Sequence, residues 1–250
     1  MHLHVSPDAP PIVQLAAASI LTLHIAGGAG AVVFGAAAML APKGGRLHRI
    51  AGTGFFVAIL AMAGVGAAVA PFIPGGQQVS NTLAGLFTLY LAVTAWAAAQ
   101  RCTGGAGLPE AGATALALGV SAGSIGIGVY SLISGVPLPS PEGGVVWVFA
   151  AIARLAAAFD FAALRRGGLV GRARVRRHLW RMSLAFLIAV GSLAGQPVAL
   201  PPALRGSPLF LIPILGTLAA IVIYLIRLRD LPAPKPAVAA TPEPQLRLAA

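Results

Sequence analysis

Two sets of residues in this sequence have the chemistry to bind or react. The first is His24, Arg154, Ser192 and Gln196. An imidazole, a guanidinium and an amide brought to one level inside an apolar protein make a site for an anion, a quinone or a proton. Arg154 is the most demanding of them, because it falls near the middle of an apolar run, where a charge costs roughly 3 kcal/mol or more. Asp160, six residues on, is the only acid inside any such run. Six helical residues turn through about 240° and rise about 9 Å, so Arg154 and Asp160 point to different faces and are not a pair. Arg154 is expected in the interior, at the depth of His24.

The second set is His48, Asp160, His178 and Arg181. His48 and His178 share a local pattern. Each follows an arginine two residues earlier, Arg46 and Arg176, and each has a phenylalanine eight residues later, Phe56 and Phe186. Two neutral imidazoles ligate haem iron, and histidine with carboxylate binds zinc. His48 and His178 are therefore the candidate metal ligands, with Asp160 expected in the same cluster. The sequence lacks the four intramembrane histidines that a two-haem cytochrome needs. It assigns no catalytic residue and leans away from an enzyme.

These residues sit on elements whose solvent is lipid. Of the 250 residues, 58% are hydrophobic and 9% are charged, where a soluble domain carries roughly 25% charged. The mean hydropathy is +0.87. Too few polar residues remain to cover a water-facing surface, which excludes an ordinary soluble enzyme and excludes disorder over most of the chain. Seven apolar segments can be read, at Leu15–Leu40, Ile50–Ala70, Val79–Ala99, Ala111–Ser134, Val145–Leu164, Leu179–Val198 and Pro208–Ile226. Each has about the 20 residues that cross roughly 30 Å of hydrocarbon. Pro and Gly clusters separate them, among them Pro42-Lys43-Gly44-Gly45 and Pro74-Gly75-Gly76. Their continuous apolarity favours helices over barrel strands, which alternate. The expected fold is all-α, a polytopic transmembrane bundle of seven helices over residues 15–227. A short tail precedes it over 1–14, and a Pro/Ala-rich tail follows over 228–250.

Charge sets the orientation. Fourteen of the 17 Lys and Arg fall in alternate loops and the C-terminal tail, led by Arg165, Arg166, Arg172, Arg174, Arg176 and Arg177, and one, Arg205, falls on the other side. Positive loops stay in the cytoplasm, so the N-terminus is expected outside and the C-terminus inside. The +11 net charge is thus a topology signal, and no soluble basic domain speaks for nucleic acid. The first Lys or Arg is Lys43, too late for a signal-peptide n-region, so the first helix is expected to be retained. The one cysteine, Cys102, forms no intrachain disulfide. Arg, Ala and Gly dominate as in a high-GC bacterial composition, and the bacterial inner membrane is the expected location. The Gly-rich stretches lack the Gly-Lys-Ser/Thr ending of a phosphate loop. Small residues instead recur every four positions, at Gly27-Ala31-Gly35, Gly119-Gly123, Ser124-Gly128 and Gly191-Gly195, as close helix packing requires. That spacing also allows a homodimer or a partner membrane subunit.

The stretch Leu47-His48-Arg49-x-x-Gly52, with His24, Gly28 and Gly35, forms one block. Asp160, Arg165 and Gly168, then Arg177-His178-Leu179-Trp180-Arg181-Met182, Gly191-Ser192 and Gly195-Gln196 form a second. In these blocks the chain resembles a family of bacterial multi-pass membrane proteins with a domain of unknown function. The resemblance implies an inner-membrane helical protein and no particular reaction. Two readings follow from the residues. One is a redox or cofactor-binding protein, with b-type haem on His48 and His178 or a quinone near His24 and Arg154. The other is a non-enzymatic transporter of a small solute or proton, or a helper subunit, resting on Arg154, Asp160 and the Gly-rich fourth segment. The charge distribution predicts that a reporter fused after Ala250 is active when it is one that works in the cytoplasm. A reporter active only in the periplasm would contradict that topology.

Overall fold

In a computed structural model the protein is described over residues 8–73, 78–100, 107–138, 142–194, 207 and 211–230. Among these residues all regular structure is helical. The helices are α1 (Pro11–Leu40), α2 (Arg46–Val69, extended by a 3-10 turn Ala70–Phe72), α3 (Gln78–Gln100), α4 (Leu108–Ser134), α5 (Glu142–Arg165), α6 (Gly171–Ala194) and α7 (Leu211–Asp230). Helix α1 starts earlier than its apolar run because Pro11, at the first helical position, needs no hydrogen-bond acceptor for a missing N–H. Pro213 likewise lies in the first turn of α7 and does not break it. The 231–250 part of the tail lies outside the described residues.

Six of the seven helices, α1 to α5 and α7, are long and apolar enough to cross a membrane. The exception is α6, whose first half carries Arg172, Arg174, Arg176, Arg177 and Arg181. It nevertheless runs the height of the bundle. Near its start His178 meets Ala95, late in α3, and near its end Ser192 shares a cavity with Gln78 and Asn81 at the start of α3. Helices α1, α2, α3 and α6 close a four-membered ring through their α1–α2, α2–α3, α3–α6 and α6–α1 contacts. Helix α2 therefore stands diagonally across from α6. The α4–α5 hairpin packs outside α3, and α7 outside α6. Phe55, Ile59, Phe87, Leu91 and Phe186 fill the core. These contacts bring the end of α1, the start of α2, the ends of α3 and α7 and the start of α6 to one end of the molecule. The described basic stretches, from Lys43 to Arg49 and from Arg165 to Arg177, thus share one rim.

In lipid no hydrophobic force draws helices together, so small residues decide how closely they approach. On α1 the buried residues are Gly27, Ala31 and Gly35, the expected stripe. The tightest approach to backbone atoms, unmarked by such spacing, is at Gly85 on α3. A Cβ there would stand 2.8 Å from the Ala67 nitrogen and 2.9 Å from the Ala63 oxygen, both backbone atoms that cannot swing aside. At Gly123 the neighbour, 3.1 Å away, is only the tip of Leu83, and Gly191 has nothing within 4 Å. Gly195 lies outside the described residues. Gly85→Leu is expected to destabilise the bundle by about 1–3 kcal/mol or more, read as a lower Tm in detergent, while Gly191→Leu leaves Tm unchanged. Equal Tm values for the two variants would contradict the packing.

Candidate functional site

The turn after α1 builds the first half of the site. Gly44 has φ +77°, a conformation open to glycine at little cost, and the chain doubles back so that the first turn of α2 lies against the last turn of α1. The carbonyls ending a helix have no intrahelical donor. Lys43 Nζ donates to two of them, Ala38 at 3.1 Å and Met39 at 2.5 Å, and His48 Nδ1 donates to Ala38 O at 2.9 Å. Across the ring, His178 Nδ1 donates to Ala95 O at 3.0 Å. A carbonyl only accepts, so in both histidines Nδ1 carries the hydrogen and the neutral ring keeps its lone pair on Nε2. Backbone bonds of this kind orient metal-ligating histidines.

The two rings stand 6.5 Å apart between centroids, with planes at 82°. They line one cavity of 350 Å³, inside the roughly 300–1,000 Å³ range of cofactor sites. Its walls include Phe55, Leu179, Met182 and Phe186, and Lys43, Arg49 and Arg174 also line it. Gly35 makes room for the wall, since a Cβ there would collide with the Phe186 ring. The sequence pairing of His48 with His178 is thus realised in space, and the Lys43, Arg49 and Arg174 contribution was not foreseen.

Asp160 does not join the histidines. It is buried among α3, α5 and α6, where Oδ2 accepts from Tyr90 Oη at 2.5 Å and Oδ1 accepts from Arg181 Nη2 at 2.5 Å. Arg177 Nη2 stands 3.0 Å from the same Oδ1. The Arg181 guanidinium lies between the rings of Tyr90, 4.9 Å away, and Trp180, 5.0 Å away. Tyr90 and Arg177 were missed as partners. A tyrosine in the middle of an apolar segment is a usable signal, because its buried hydroxyl needs a partner.

His24 and Ser192 do come together, at the opposite end of the bundle. They line a 210 Å³ cavity with Gln78, Asn81 and Thr88, and His24 Nδ1 donates to Met62 O at 2.8 Å. Gln196 lies outside the described residues. Arg154 is the correction. It is exposed on α5, and α5 packs on α4 and α3, away from α1. The buried face of α5 is Val146, Ala150, Ala153, Ala156, Ala157, Asp160 and Ala163, a helical stripe from which Arg154 is rotated away. Shared depth with His24 did not imply a shared face.

Among the described residues no three His, Cys, Asp or Glu side chains cluster as metal ligands, so the two-histidine cavity is the candidate centre. Removing one partner of a buried ion pair strands the other charge. Asp160→Ala should therefore cost about 3–5 kcal/mol, whereas Arg154→Leu should leave Tm unchanged or higher. A large loss of stability in Arg154→Leu would show that this arginine faces the interior. No family model, curated protein or solved structure matches the chain.

Proposed function

We propose that the protein binds one b-type haem between His48 and His178 and serves in electron transfer within the bacterial inner membrane. The observation that carries this reading is the paired imidazoles. The two rings stand 6.5 Å apart between centroids on one cavity, and His48 and His178 would together hold the haem iron. With Nδ1 donating to Ala38 O and Ala95 O, each neutral ring carries its lone pair on Nε2. The cavity supplies apolar walls for a macrocycle, and Lys43, Arg49 and Arg174 supply cations for its carboxylates. Haem held in this way supplies a one-electron carrier. The chain's own part is to fix the ligand tautomers through Ala38 and Ala95, and to exclude water with Phe55 and Phe186.

The positive-inside rule applied to the rim of arginines supports a cytoplasmic position for this centre, with α6 read as a seventh crossing shielded by its neighbours. A quinone site keeps His24 and Ser192 but loses Arg154. The transporter reading loses more, because Arg154 is exposed and Asp160 is locked by Tyr90, Arg177 and Arg181.

The test is an absorption spectrum of detergent-purified protein, as isolated and after addition of haemin. A Soret band at one haem per chain is expected, lost in both His48→Ala and His178→Ala and kept in His24→Ala. Protein that stays folded yet takes up no haemin would refute the assignment.

A further inference from the structure

A second cavity at the basic end, of 680 Å³, lies between α5, α6 and α7. Its charge does not balance. Arg166, Arg176, Arg177 and Arg181 line it against one acid, Asp160. Asp160 is already committed, with one oxygen on Tyr90 and the other on Arg181 and Arg177. Arg181 has 0% exposure, yet its Nε and Nη1 have no hydrogen-bond acceptor among the described residues. Arg181 is enclosed by the Tyr90 and Trp180 rings, and the exposed Arg166 and Arg176 line the cavity with no second acid among the described residues that line it, a net positive charge that favours an anion.

The rest of the lining says what kind of anion. Leu155 and Phe159 of α5 are 53% and 54% exposed on the flank of the cavity, and Trp180, Ile221 and Leu225 complete an apolar wall. Inorganic phosphate satisfies the arginines and leaves this wall bare. A molecule with a phosphate head and hydrocarbon chains satisfies both. Basic pockets between transmembrane helices on the cytoplasmic side have this chemistry for anionic lipid headgroups.

We propose that the α5–α6–α7 cavity is a binding site for an anionic phospholipid. The headgroup phosphate is held at the rim by the exposed Arg166 and Arg176, above the Arg177–Arg181–Asp160 network, and an acyl chain lies along Leu155 and Phe159. The site is separate from the histidine cavity and stands whether or not that cavity holds haem.

Trp180 in the wall gives a direct readout. Full-length protein with Trp96→Phe and Trp147→Phe is reconstituted in phosphatidylcholine, and Trp180 fluorescence is titrated with phosphatidylglycerol brominated on its acyl chains. Brominated phosphatidylcholine serves as the comparison. Brominated phosphatidylglycerol is expected to quench at the lower mole fraction. Arg166→Gln and Arg176→Gln, both at exposed positions, should each reduce that preference about fivefold, from roughly 1 kcal/mol per arginine near the surface. Arg154→Gln, on another face of α5, should leave the preference intact. Equal quenching by the two lipids would overturn the proposal. So would release of the quenching lipid by millimolar inorganic phosphate, which would make the cavity a free-anion site, or an equal loss of preference in Arg154→Gln.

Discussion

Asp160 is the residue on which the arrangement turns. Without it, α6 would bring Arg177 and Arg181 into a low-dielectric interior with no counter-charge, at a cost of several kcal/mol per ion. With it, Arg181 is fully buried, bonded to Asp160 and enclosed by Tyr90 and Trp180. That arrangement lets a helix too polar to cross lipid on its own run through the bundle between α1, α3 and α7. Because α6 is held there, His178 reaches the Ala95 carbonyl and stands across the ring from His48.

The same residue couples three helices. Tyr90 comes from α3, Asp160 from α5 and both arginines from α6. A buried ion pair is weak evidence for net stability, and its best-supported role is to fix a register. Here the register matters because the imidazole pair is set one turn away. His178 lies three residues before Arg181, on a neighbouring face of α6. A slip of α6 by one turn would carry the imidazole about 5 Å along the axis and break its bond to Ala95.

Much of this is legible in the amino-acid sequence. Long apolar runs and their Pro/Gly breaks mark the helices, and the alternation of arginine-rich loops anticipates the shared basic rim. The spacing of Gly27, Ala31 and Gly35 marks the buried stripe of α1, and the repeated offsets around His48 and His178 mark the pair that meets. What was not legible depends on phase and on partners distant in sequence. Arg154 and His24 were matched by depth along their helices, whereas the buried stripe of α5 passes Arg154 by. Asp160 was expected with the histidines because it lies toward the same end, yet its neighbours are set by which face of α6 meets α5. Gly85 carries the tightest backbone approach without any repeat to announce it. Tyr90 was visible as a polar handle within an apolar run, but only the fold shows that the handle ends on Asp160.

The most direct measurement of the central claim is electron paramagnetic resonance of the oxidised, haem-loaded protein. Two imidazoles on one iron give a low-spin ferric centre. Ring planes kept near 82° would give the strongly anisotropic low-spin signal that distinguishes perpendicular from parallel imidazole pairs. The account predicts that signal in the native sequence and a high-spin ferric signal, or loss of haem, in His178→Ala. A high-spin centre in the native protein, or a low-spin centre that survives His178→Ala, would contradict it.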